Sequence, residues 1–248
     1  MYRSLVAFRW FIATCIAYSC LFVLCSSAII VCGLTLGWRK HSYFYLVCRG
    51  FGRIYLFLVG VNLVFEGGIP FENRATRIMT FNHTSQLDLF IMASLMPPGG
   101  VPTMKREMQY VPVLGQLLWL FGALMINRGK QASAHASLAD GARRMQTEQL
   151  TVGIAPEGTR SRDGELARFK KGTFHLAKAA SVPVERVHID DAFKLQPLGQ
   201  WYVYPGELVI RRLEVMRCPT PEDTPQEWTR ELRDEFVKAI GVSRGYGA

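Results

Sequence analysis

The chain has 248 residues, of which 49% are hydrophobic and 20% charged. That balance excludes a disordered chain, and six cysteines in this length are too sparse for a disulfide-stapled miniprotein. The net charge of +9, from 29 Lys and Arg against 20 Asp and Glu, points to a phosphate-bearing partner: nucleic acid, an anionic membrane or a phosphorylated substrate.

The first quarter is apolar and carries no acid before Glu66. From Trp10 to Trp38 no residue is charged, a run longer than the ~20 residues of a simple membrane span. Tryptophans at both ends suit the headgroup level. A buried core helix or a cleaved signal peptide would be shorter. Ser42 to Leu63 is a second apolar stretch, interrupted by Arg49 and Arg53 about one turn apart. Two such segments predict a helical hairpin in the membrane with snorkelling arginines, and a single true span is the alternative. A hairpin would put Arg3, Arg9, Arg39, Lys40, Arg49 and Arg53 on one side, the cytoplasmic one by the positive-inside bias. Five of the six cysteines lie here as small hydrophobes, and no Cys-x-x-Cys pair suggests zinc or redox chemistry.

From about residue 61 the texture changes to alternating strands and helices, the pattern of an α/β domain. Strands are predicted at Val61–Phe65, Arg77–Phe81, Val101–Met104, Ala123–Ile126, Leu150–Ala155, Val182–Ile189 and Leu208–Val215. Helices are predicted at Ser85–Met96, Val111–Leu120, Lys130–Gln149, Lys171–Ala180 and Glu222–Ile240. The expected organisation is a membrane-anchoring segment, residues 1–60, and a single α/β domain, residues 61–248.

Three polar clusters interrupt this pattern where strands end, which is where open α/β sheets bind ligands. The first is Asn82-His83 followed by Asp88. A carboxylate on one ring nitrogen of His83 would leave the other as a base near neutral pH. An ordinary turn with a Ser or Thr cap fits the same spacing equally well. The second is Pro156-Glu157-Gly158-Thr159-Arg160-Ser161, with a glycine for close backbone approach and an arginine able to clamp a phosphate. A polar surface turn is the plainer alternative. The third is a set of basic residues at strand ends and a helix start: Lys105-Arg106, Asn127-Arg128 and Lys170-Lys171. Singly, each is a solvated surface charge.

Together these clusters resemble the 1-acyl-sn-glycerol-3-phosphate acyltransferase family. The family's Asn-His-x-x-x-x-Asp block stands at Asn82-His83 to Asp88, and its Pro-Glu-Gly-Thr-Arg-Ser block at Pro156 to Ser161. Lys105 and Arg128 match its second block, and Phe169-Lys170-Lys171-Gly172 also fits. Ala155 stands where the family commonly has Phe. Val182-Pro183-Val184-Glu185-Arg186-Val187 puts Arg186 where a second proline is usual, which opens the acyl or headgroup contact to change.

The resemblance implies a mixed-sheet acyltransferase domain behind a hydrophobic helical membrane segment. It implies transfer of a fatty acyl group from acyl-CoA or acyl carrier protein to the sn-2 hydroxyl of lysophosphatidic acid. His83 and Asp88 would be catalytic; Lys105, Arg128, Glu157, Gly158, Thr159 and Arg160 would bind substrate. No cofactor beyond the acyl thioester is implied, and the carboxylates lack metal-ligand spacing. No Gly-x-Ser-x-Gly elbow suggests a covalent acyl intermediate. The implied partners are membrane lipids, on the cytoplasmic face of a bacterial inner membrane or of the endoplasmic reticulum. Nucleic acid is disfavoured because the basic residues are scattered. Another lysophospholipid or lyso-aminolipid acceptor, or a catalytically silent lipid-binding module, are the alternatives.

Overall fold

The computed structural model describes residues 2–35, 40–111, 115, 118, 119, 121–127 and 131–243. Two long helices come first, α1 (Tyr2–Leu34) and α2 (Lys40–Val59). They run antiparallel: the Ser27 and Tyr43 hydroxyls meet at 2.6 Å near one end, and Arg9 Nε donates to the Leu58 carbonyl near the other. The hairpin is therefore present. The transmembrane expectation is not: among the described residues no helix is long and apolar enough to cross a membrane. Tyr18-Ser19 and Ser26-Ser27 interrupt the apolar run of α1.

The remainder builds one seven-stranded sheet in the order β1-β7-β6-β2-β5-β3-β4. Its strands are β1 (Val61–Glu66), β2 (Arg77–Phe81), β3 (Gly100–Lys105), β4 (Leu124–Ile126), β5 (Thr151–Ile154), β6 (Val184–Ile189) and β7 (Gly206–Arg212). From β6 to β4 all neighbours are parallel; β7 runs antiparallel to β6 and carries β1 parallel to itself. The mixed α/β sheet agrees with the expected class. Helices α3 (Asp88–Ser94), α4 (Gln131–Glu148), α5 (Gly172–Ala180), α6 (Ala192–Leu195) and α7 (Pro225–Ser243) complete it, with a 3-10 turn at Arg106–Tyr110. Most of the predicted helix Val111–Leu120 lies outside the described residues.

Each sheet face has its own core. On one, Leu138 and Met145 of α4, Phe174 and Leu176 of α5, and Trp228, Leu232 and Phe236 of α7 pack on Ile78, Val152 and Val184. On the other, Tyr55, Leu56 and Val59 of α2 and Ile91 of α3 pack on Met79, Val187 and Ile210. The hairpin thus shares a core with the sheet. Gly52 makes this packing fit: a Cβ there would lie 2.4 Å from Ser94 N and 2.6 Å from the Phe90 carbonyl, so only glycine lets α2 approach α3 so closely.

Strand β5 is buried throughout, as a central parallel strand with both faces covered should be. Strand β6 is equally buried yet contains Glu185, Arg186 and His188. The charges are internally paired. Glu185 meets Arg77 at 2.8 Å and Arg212 at 3.0 Å. Arg186 Nε donates to the Glu214 carbonyl at 2.7 Å and its guanidinium faces Glu235 of α7. The expectation that Arg186 alters a substrate contact is therefore corrected: it is buried in a structural pairing beneath α7.

Candidate active site

The parallel strands β6, β2, β5, β3 and β4 finish at one end of the sheet, and the three polar clusters follow them there. β2 and β5 are neighbours, with Thr80 opposite Ile154, so the loops that leave them lie side by side. His83 and Glu157, 74 residues apart, are brought into direct contact by this register.

The loop after β2 is held from both sides. The Asn82 amide donates to the Ile189 carbonyl at 2.8 Å and accepts from Ile189 N at 2.7 Å, closing the end of β2 onto the end of β6. Asp88, fully buried in the first turn of α3, gathers three donors on Oδ2. They are Thr84 N at 2.8 Å, Ser85 N at 2.9 Å and the His83 ring nitrogen Nδ1 at 2.9 Å. A carboxylate oxygen accepts, so in a neutral imidazole this contact puts the proton on Nδ1 and the lone pair on Nε2. The His83 side chain remains 22% exposed, which leaves the ring reachable by substrate, whereas Asp88 is closed off. The pairing expected of His83 and Asp88 is thus met in geometry.

Glu157, expected among the substrate-binding groups, spends both oxygens on the protein. Oε1 accepts from His83 N at 2.7 Å and Oε2 from Ala167 N at 3.1 Å. Burial pushes its carboxyl above the usual carboxylate range, opposed by those two amides and the His83 ring. It positions the histidine loop. Gly158 has φ of +74°, which favours glycine, and a Cβ there would meet the movable Lys170 side chain at 2.9 Å. Thr159 and Arg160 are exposed beside this contact. Ser161 N donates to the His83 carbonyl at 2.8 Å, which sets Arg160 one residue from the histidine loop.

Lys105 ends β3 with its side chain exposed, 3.6 Å from the Glu107 carboxylate. Arg128 lies outside the described residues, just beyond β4. Asn82 and Ser161 stood within the quoted motifs but had no expected role, and Lys170 was expected only as one of the basic residues. Their functions depend on partners about 80 to 107 residues away or on backbone contacts, which no local spacing reveals. Among the described residues no group of three His, Cys, Asp or Glu is placed to hold a metal ion.

The arrangement is a shielded carboxylate, a semi-exposed histidine, and the exposed Arg160 one residue from the contact with the histidine loop. It can remove a proton beside an anion. Comparison with known proteins agrees. A family description for acyltransferases matches residues 64–189. The 1-acyl-sn-glycerol-3-phosphate acyltransferase of Saccharomyces cerevisiae is 31% identical over 84% of this chain and 71% of its own length. The human alpha form is 34% identical over 68% of this chain and 60% of its own length. The crystal structure of the 1-acyl-sn-glycerophosphate (LPA) acyltransferase of Thermotoga maritima superposes with a TM-score of 0.68, over 94% of this chain and 97% of that one, at 19% identity. That last likeness concerns the fold. On the family match and the identity to the yeast protein, this chain belongs to the 1-acyl-sn-glycerol-3-phosphate acyltransferase family of enzymes.

Proposed function

We propose that this enzyme acylates the sn-2 hydroxyl of lysophosphatidic acid, using an acyl thioester of coenzyme A or acyl carrier protein, and releases phosphatidic acid. The observation that carries the reading is the 2.9 Å contact between His83 Nδ1 and buried Asp88, which leaves Nε2 as base. The acceptor hydroxyl gives its proton to His83 Nε2 as its oxygen bonds to the thioester carbonyl carbon. The tetrahedral intermediate collapses, the C–S bond breaks, and the imidazolium returns the proton to the leaving thiolate. Asp88 holds the tautomer and stabilises the transient imidazolium. No protein nucleophile is needed. Arg160 clamps the acceptor phosphate, assisted by Lys105 and Arg128. Glu157 and Gly158 shape the floor on which Arg160 sits.

Residues 1–60 anchor the chain and residues 61–248 carry the chemistry. The hairpin exposes large apolar side chains along its length, with Phe22 68%, Phe57 78% and Leu34 81% exposed. Such a surface belongs in one leaflet rather than in water. The basic residues flanking it favour a site at the cytoplasmic headgroup layer.

The test is product identity. Purified protein is given labelled acyl-CoA or acyl carrier protein with lysophosphatidate, glycerol 3-phosphate and other lysophospholipids. Labelled phosphatidic acid formed from lysophosphatidate supports the reading. Product from a different acceptor moves the substrate, and binding without product under every condition favours a silent lipid-binding module.

A further inference from the structure

The segment Gln196–Pro205, between α6 and β7, has no part in the chemistry above, yet its position is unusual. Ile189 at the end of β6 pairs with Ile210 of the antiparallel β7, and β7 begins earlier, at Gly206. The segment before β7 therefore stands beyond the strand ends that carry His83 and Glu157. It is tied to the catalytic loop: Ser85 Oγ donates to the Gln196 carbonyl at 2.8 Å. It is tied to itself by Gln200 N donating to the Pro197 carbonyl at 3.0 Å and Tyr204 N to the Leu195 carbonyl at 2.9 Å. Val203 is buried in the core shared with the hairpin.

On this fixed frame the large apolar side chains face outward. Trp201 is 58% exposed and Leu198 lies at a turn, 40% exposed. Trp201 stacks edge-on against Trp10 of α1 at 5.3 Å and against Tyr202 at 5.2 Å, and the Tyr202 ring continues to Tyr204 at 5.2 Å. The neighbouring first turns of α1 expose Leu5 and Phe8, while Arg3 acts electrostatically on Tyr202 and Arg9 reaches the start of β1 at Gly60. Trp201, an exposed ring with an apolar body and a polar edge near Arg3 and Arg9, matches the headgroup boundary of an anionic bilayer, while Trp10, with its indole nitrogen buried, braces it from below.

We infer that the Trp201 segment, with Trp10, is a second membrane contact that seats the active site at the phospholipid headgroup layer. This rests on the membrane reading of the hairpin and adds a distinct surface to it. The hairpin supplies attachment; the segment sets the height and tilt of the sheet end, so that a lyso-acceptor enters from the leaflet with its phosphate at the level of Arg160.

The test uses the full chain reconstituted in vesicles of phosphatidylcholine and phosphatidylglycerol. The emission of W201F subtracted from that of the unsubstituted protein isolates Trp201. The expected difference spectrum is blue-shifted and loses most of its intensity when the lipids carry bromine near the top of the acyl chains. W228F, which removes an indole buried beneath α7, should give a difference that bromine leaves unchanged. Adding L198W to W201F should restore a quenched signal, independently of any effect of W201F on Trp10. A Trp201 difference with the spectrum of an indole in water, unquenched in protein that floats with the vesicles, overturns this inference and leaves the hairpin anchor standing. Protein that fails to float overturns both.

Discussion

The two loops that meet at the site are built to opposite plans. The loop after β2 is tied down internally: Asn82, Thr84, Ser85 and Asp88 all make short internal hydrogen bonds, and Asp88 has no exposure, its Oδ2 taking three donors while its buried Oδ1 takes none. The loop after β5 is tied at Glu157 and again at buried Ser161, but it turns Thr159, Arg160 and Arg162 outward into solvent. Proton transfer needs one tautomer in one orientation, so its groups are fixed before substrate arrives. On the proposed reading, phosphate binding needs cations that shed water onto the ligand, which the exposure of Arg160 suits. The difference separates groups that should govern kcat from groups that should govern KM.

The sharpest break of this contrast is in the first loop. Asp88→Asn keeps the size but offers Nδ1 a group that can turn its NH2 toward the ring. With proton transfer worth about 10²–10⁴ in rate, kcat should fall by roughly that factor with KM little changed, measured in steady-state assays on lipid acceptor. A kcat within twofold of the unsubstituted enzyme would place the base elsewhere.

In the second loop, Arg160→Ala should act mainly on KM for the phosphorylated acceptor. Loss of a charge-assisted contact worth about 1.5–3 kcal/mol corresponds to roughly a 10- to 100-fold rise. Arg160→Lys should recover only part, because a point charge replaces a bidentate fork. An unchanged KM would remove Arg160 from the acceptor site.

Between the loops, Gly158→Ala should place a methyl group against Lys170 at a positive φ, costing about 1–3 kcal/mol of stability by thermal unfolding. Gly52→Ala tests the hairpin's seat on α3 in the same way and should cost a similar ~1–3 kcal/mol while kcat per folded molecule is retained.

The smallest expected effect concerns Glu157. Its folded pKa is raised by burial, so the fold binds that proton more tightly than the unfolded chain does. The stabilising contribution is fully present below the ordinary glutamate pKa and is lost as pH rises through the raised one. The unfolding free energy of the unsubstituted protein minus that of Glu157→Gln should therefore decline across that window. A difference independent of pH there would contradict the burial argument.

Much of this was legible locally. Strand β2 has its predicted bounds, and β1 differs by a residue, because short β-rich runs ended by Gly67-Gly68 or Asn82 leave little room for error. Helix α3 was expected from Ser85 but starts at Asp88, because the Thr84 and Ser85 amides are spent on the Asp88 carboxylate instead of entering the helix. Strand β6 was expected from Val182 and begins after Pro183, which has no N–H to give the ladder. The reversal of β7 and the strand order were not legible, since sequence spacing does not specify which strands pair. The same holds for Glu185, whose partners Arg77 and Arg212 are remote in the chain. The motif residues were legible by type; that Glu157 accepts from the His83 and Ala167 amides became visible only when β2 and β5 were seen as neighbours.

The most direct test of the central claim is the single-turnover rate of His83→Ala with enzyme in excess over labelled acyl thioester and saturating lysophosphatidate. The expected result is a loss of about 10²–10⁴-fold in phosphatidic acid formation, with acyl-thioester binding retained. Formation of phosphatidic acid at a rate close to that of the unsubstituted enzyme would contradict it, and would show that His83 is not the base.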